Sequence, residues 1–233
     1  MNTKNKQLGY KSLAKCVMDY LKQQLVDGEI SPGEEINLSK LGEILGVSRT
    51  PIREALIQLL KDGFIEDTTR KGFRIKKLIR KDIDDLYEIG GLLESELVNA
   101  ASEKMTDADI AKLEKYQEKI ESEFAHDNYG DYLELNKAFN DFLWSFCPNQ
   151  LLSDYLNKIQ ERLYFAHKRS GYPEWNLMLV SDHREMIGYL KNRDKTSLTH
   201  LLREQHWNPD RYIHFIRRMY KLTDPDENST PSV

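Results

Sequence analysis

Apolar residues recur every three or four positions along most of this chain, and the breaks in that rhythm divide it into elements. Over 12–26, Leu13, Val17, Tyr20, Leu21 and Leu25 fall on one face of a predicted helix. In the stretch 41–60, LGEILGVSRTPIREALIQLL, the residues Leu41, Leu45, Val47, Ile52 and Ala55 are spaced so that two short helices share one core. Gly42 lies where the two approach most closely. Gly46 falls where the first must stop, because glycine accepts the left-handed conformation used there. Ser48 or Thr50 can cap the second helix, and Pro51 suits a first turn that has no use for its missing N–H. The result has the spacing of a helix-turn-helix. Lys61-Asp62-Gly63 ends the second helix. The pattern then changes to two short strands, 64–67 and 72–75, with Arg70, Lys71 and Gly72 at the turn between them. Three helices followed by a hairpin predict a winged helix.

From residue 77 onward the helical period dominates. The predicted spans are 80–101, 107–126, 129–146, 150–170, 172–191 and 195–220. Thr106 ahead of Asp107 and Asp109 forms a capping signal with acids in the first turn. Pro148 closes the third span, Gly171 and Pro173 separate the fourth from the fifth, and Pro209 should break or kink the last near Asn208. Amphipathic helices joined by short connections predict an antiparallel bundle. The expected fold is mainly α: an N-terminal winged helix-turn-helix over 1–76, an all-α antiparallel bundle over 77–222 and a disordered polar tail over 223–233. Residues 1–7 are polar and expected to be mobile.

Charge sharpens this division. Residues 1–80 hold 15 Lys and Arg against 10 Asp and Glu, while the remainder holds 19 against 28, so the overall charge of −4 hides a basic head on an acidic body. At 233 residues, both parts are large enough to bury a core. The sequence has no apolar run long enough for a membrane span and no signal-peptide pattern. Its two cysteines, Cys16 and Cys147, suggest neither a zinc cluster nor a disulfide framework, so a cytoplasmic location is expected.

The chemistry concentrates at the start of the second helix of the motif. Arg49, Thr50 and Arg53 sit near a helix N-terminus of the kind that enters the major groove of DNA, where the planar arginine fork can donate to guanine O6 and N7 together. A solvated basic helix tip is the plainer alternative. No nucleophile elbow, P-loop or dinucleotide pattern accompanies the serines, histidines and aspartates, so no catalytic residues are assigned and no enzyme activity is expected. Glu94 and Glu96, and likewise Asp82, Asp84 and Asp85, read as solvated helix faces.

The motifs PGE at 32–34, GVSRTPIREAL at 46–56, DGFIE at 62–66 and the late Gly72 together resemble the winged helix of the GntR family of bacterial transcriptional regulators. The resemblance implies that Ser48, Arg49, Thr50 and Arg53 contact DNA, with Lys71 and Gly72 at the wing. Beyond it, DIDDLYEIGGLLESELVNAAS at 82–102, ELNKAFNDFLWSFCPNQLL at 134–152 and DHREMIGYLKNRDKTSLTHLLREQHW at 182–207 resemble the FCD domain, the helical effector-binding domain of the FadR subfamily. Six body helices point to its VanR-like branch. Many FCD domains hold a divalent metal on an Asp or Asn, a His four residues later and two further His. The corresponding positions here are Asn136, Asn140, His183 and His206, so a Zn, Ni or Mn ion is the candidate cofactor. Asn140 departs from the pattern, since a carboxamide is a poorer ligand than imidazole. The alternative is a polar pocket in which the amides and histidines bond one another, water or a ligand. His167 and His200 are possible substitute ligands.

The family often carries an arginine at the position of Gly90. Gly90-Gly91 then means either close helix packing or room for a larger, less acidic effector. Tyr132, Arg162, Tyr164, Arg184 and Trp207 are candidate pocket residues. The resemblance implies a homodimer that binds a double-stranded operator with an inverted repeat, and repression relieved by a small-molecule effector, with a carboxylate as the candidate class. The alternatives are a constitutive DNA-binding protein with a decayed sensor pocket and a helical protein-interaction module.

Overall fold

A computed structural model describes residues 12–68, 72–126, 129–164 and 173–222. The chain divides after Lys77 into two compact units. The first carries α1 (Leu13–Asp27), α2 (Leu38–Leu45), α3 (Arg49–Lys61), β1 (Ile65–Asp67) and β2 (Phe73–Ile75). Helices α1 and α2 both pack against α3, and Val17, Leu21, Leu41, Ile52, Ala55, Leu56 and Leu59 form the buried core between them. The Ser12 side chain caps α1 and that of Asn37 caps α2, each accepting a backbone N–H three residues on. Gly46 ends α2 at φ 65°, a left-handed conformation that sets the tight turn into α3.

β1 and β2 pair antiparallel, with Ile65 opposite Ile75 and Asp67 opposite Phe73. The hairpin has a third member that the sequence pattern did not predict. Backbone bonds Gly33 N–H to Ile75 O (2.9 Å), Ile75 N–H to Glu34 O (2.9 Å) and Ile36 N–H to Phe73 O (2.8 Å) lay the segment 33–36 along the other edge of β2. Pro32 and Gly33 form a turn, closed by the Glu34 N–H on Ser31 O at 3.0 Å with Gly33 at φ 89°, and the partner that makes the residues after them extended lies some forty residues later.

The described residues of the second unit carry helices and no strand: α4 (Arg80–Ser102), α5 (Asp107–Ala125), α6 (Tyr129–Trp144), α7 (Gln150–Tyr164), α8 (Pro173–Asn192), α9 (Lys195–His200) and α10 (Ile213–Tyr220). A π-helical turn, Leu201–His206, continues α9, and a 3₁₀ turn, Pro209–Tyr212, precedes α10. The last predicted span is therefore broken where Pro209 required it. Counting the two sides of the break separately gives seven body helices among the described residues rather than six. Helix α4 packs against α7 and the π turn, and α5 lies between α6 and α8. Thr106 caps α5 in a reciprocal box with Asp109. Trp144, Trp175 and Trp207 are all buried in this unit. Cys16 is exposed in the first unit and Cys147 half-buried in the second, both as free thiols. Among the described residues no helix is long and apolar enough to cross a membrane.

Candidate functional site

In the first unit, the turn after Gly46 delivers Ser48, Arg49, Thr50 and Arg53 to the first turn and a half of α3, all exposed. Ser48 is the N-cap residue, but its hydroxyl makes no capping bond, so it remains available to an outside acceptor. Arg49 and Arg53 are four residues apart and share one helical face. Neither has an ion-pair partner among the described residues. The buried residues Ile52, Ala55, Leu56 and Leu59 occupy the opposite face and hold the helix by its back. At the wing, the Gly72 amide donates to Thr68 Oγ1 at 3.1 Å, closing the hairpin below its tip. Lys71 lies outside the described residues.

The second unit contains a cluster of buried charge. Asp182 on α8 is fully buried. It accepts Arg211 Nη1 on both oxygens (2.8 and 2.9 Å), the Tyr212 hydroxyl at 3.2 Å and His206 Nδ1 at 3.0 Å. The other ring nitrogen of His206 faces Glu94 Oε2 at 3.8 Å. Glu94 also accepts the indole N–H of Trp207. Burial pulls the His206 pKa down most strongly, but the hydrogen bond to Asp182 and the charges of Glu94 and Asp182 together outweigh it and hold His206 above the ordinary value. For Asp182, burial pushes upward, and the bonds and charges of His206 and Arg211 overcome it to hold the carboxyl below its usual range. His183 differs. Its burial, aided by the charge of His206 and only partly opposed by Asp182, pushes it down to about 3, so this imidazole is neutral.

Residues 13–75 match the bacterial regulatory proteins of the gntR family, and residues 85–206 match the FCD domain. Over 194 residues the chain is 31% identical to the HTH-type transcriptional regulator YdhC of Bacillus subtilis (strain 168), covering 82% of this chain and 85% of that protein. It is 37% identical over 135 residues to the Nta operon transcriptional regulator of Aminobacter aminovorans, covering 58% and 64% respectively. The solved structure of E. coli McbR/YncC shares the fold, with a TM-score of 0.65 and 23% identity over 91% of this chain and 98% of that one. The chain belongs to the GntR family of bacterial regulatory proteins. It is a transcriptional regulator with a GntR helix-turn-helix and an FCD domain, and not an enzyme.

Within the FCD domain, the residues singled out from sequence meet different fates. His183 and His206 come together, with ring centroids 6.1 Å apart, and Phe139 of α6 stacks on His183 at 4.4 Å. Asn136 and Asn140 flank Phe139 in the sequence. Asn136 Oδ1 and His183 Nδ1 are buried without a hydrogen-bond partner among the described residues. The donor set nevertheless fits a divalent ion poorly. It offers two neutral amides and two imidazoles, one of them already committed to carboxylates. Among the described residues no three His, Cys, Asp or Glu side chains are grouped to hold a metal. His200 is exposed; His167 and the side chain of Tyr164 lie outside the described residues. Arg184 is 71% exposed in an ion pair with Glu121, so it lies on the surface. Arg162 is half-buried, and its Nε has no partner among the described residues. Tyr132 is a core residue, edge-on to Phe124 at 5.7 Å.

The Gly90-Gly91 pair proves to be close helix packing. A Cβ on Gly90 would lie 2.2 Å from the Trp207 ring. The indole fills the room beside Gly90, the first of the two alternatives that the glycine pair offers, and stands edge-on to Tyr87 at 5.6 Å. Glu94 is also corrected: it is 2% exposed. Tyr87, Gly90, Gly91, Glu94, Leu97, Val98 and Ala101 are all buried on α4, and their three- to four-residue spacing was the signal that placed Glu94 inside. Asp182, Arg211 and Tyr212 were not singled out at all. Asp182 stands beside His183 in the sequence, and the break at Pro209 that brings Arg211 and Tyr212 inward gives no pattern of its own.

Proposed function

We propose that this regulator is a homodimeric cytoplasmic repressor that binds an inverted-repeat operator, and that a small molecule held by the FCD domain changes its operator affinity. The observation that carries this reading is the pair Arg49 and Arg53, exposed one turn apart at the start of α3 with their helix anchored from behind. Two such helices in a symmetric dimer would read the two halves of a symmetric site. Dimerisation is assigned to the outer face of α4 and α7. Ile89 and Leu92 on α4 and Leu151 and Tyr155 on α7 are large apolar residues left exposed. These two helices pack together, and Arg162 near the end of α7 feels the charge of Asp82 near the start of α4, which supports an antiparallel arrangement and one shared strip.

The test is fluorescence anisotropy with a duplex selected from a random pool. Arg49→Ala and Arg53→Ala should each weaken specific binding by about 1–3 kcal/mol while the thermal transition stays unchanged. Undiminished binding in both variants would remove α3 as the reading helix. A second reading, a constitutive DNA-binding protein with a decayed sensor, draws on Trp207 filling the space beside Gly90. It predicts that no compound in a metabolite screen stabilises the FCD domain or shifts operator affinity.

A further inference from the structure

Two carboxylates, an imidazole and a guanidinium meet inside the helical body: Glu94 from α4, Asp182 from α8, His206 from the π turn and Arg211 from the 3₁₀ turn. Carboxylates withdrawn from water must be matched by positive charge and by hydrogen-bond donors. A divalent ion bound among them is one solution. This chain carries another. Arg211 spans both oxygens of Asp182, Tyr212 adds its hydroxyl, and His206 places Nδ1 on the same carboxylate. His206 Nε2 faces Glu94, so both ring nitrogens are directed at carboxylates. A metal on His206 would need the lone pair of one of them and would displace that partner. Two further observations point the same way. Position 140 supplies an amide in place of an imidazole. Trp207, seated against Gly90 with its N–H on Glu94, fixes the carboxylate that faces His206 and occupies one of its oxygens.

We infer that this FCD domain is built to work without a divalent metal, with Arg211 supplying from the chain itself the positive charge, and His206, Tyr212 and Trp207 the hydrogen-bonding partners, that keep Asp182 and Glu94 inside the bundle. The inference concerns the body alone and stands or falls independently of operator binding. To test it, untagged full-length protein purified without chelator is analysed for Zn, Ni and Mn. It is then equilibrated with each ion in turn, and its thermal unfolding is followed. The expected result is no stoichiometric ion before or after equilibration and no shift in Tm. An ion that binds only the native state and is present at a hundredfold excess over its Kd would raise Tm by about 5 °C or more. Such a rise, or one ion per chain that disappears in His206→Gln, overturns the inference. An ion retained in His206→Gln is bound elsewhere and leaves the inference standing. Should that variant not fold, His183→Gln provides the same comparison.

Discussion

A side chain at position 90 and the indole of Trp207 exclude each other, since an added Cβ would fall 2.2 Å from a ring held by Glu94 and Tyr87. This fixes the sign of a substitution. In an open helix, Gly→Ala stabilises by about 1 kcal/mol. Gly90→Ala is expected to destabilise the body by about 1–3 kcal/mol instead, because the overpacked ring must move; urea unfolding measures it. Asp182 is the second sensitive residue. Three donors converge on a fully buried carboxylate, so Asp182→Asn should cost about 3–5 kcal/mol. His183 is expected to dominate the response to mild acid, above the range in which Asp182 titrates. Its folded value near 3 lies below the ordinary 6.5, so the neutral ring contributes stability above pH 6.5 and that stability is lost as the pH falls toward 3. The loss approaches about 1.4 kcal/mol per pH unit. His206, held above its ordinary value, gives its full contribution below pH 6.5 and loses it only as the pH rises through its folded value, so it does not cause the acid loss. His183→Gln should flatten the stability profile between pH 6.5 and 5. A slope that survives the substitution would assign the acid sensitivity to other groups.

The elements of the head were legible because their signals are local. Gly46 marks a stop, Ser48 or Thr50 a cap and Pro51 a first turn within six residues, and α3 begins at Arg49 with Ser48 in the N-cap position, though its hydroxyl makes no capping bond. Thr106 announced α5 in the same way. The extended run after Gly33 is not legible in the sequence because its form comes from β2, which no neighbour of Pro32 reveals. The π turn at Leu201–His206 was missed for a related reason: it is a change of phase within a helix that composition does not mark. That turn decides the interior of the body. One regular α-helical register through residue 207 would aim His206 away from His183 and Trp207 away from Gly90. Caps also allow a quantitative test at this scale. Asn37→Ala removes the side-chain acceptor for Lys40 N–H and should destabilise the head by about 1 kcal/mol, read as a lowered midpoint in the far-ultraviolet circular dichroism.

For the whole molecule, the basic head and acidic body distribute electrostatic work unequally, and the basic part is small. Operator affinity should therefore depend on salt through a few phosphate contacts. A fall of about tenfold or more is expected between 50 and 200 mM salt, and a flat profile in an anisotropy titration would contradict contact through the α3 tip and wing. Leu92→Glu or Tyr155→Glu should shift the protein to monomers in light scattering and weaken operator binding with it, since one head reads only half of a symmetric site. The placement of the three tryptophans has an optical consequence. All of them, Trp144, Trp175 and Trp207, are buried in the helical body, and the winged helix contains none. Indole emission therefore reports the body alone, without labels or truncation. A red shift that precedes the loss of operator binding on heating would mean that the body melts before the head, and the reverse order would mean that the head unfolds while the body stays intact.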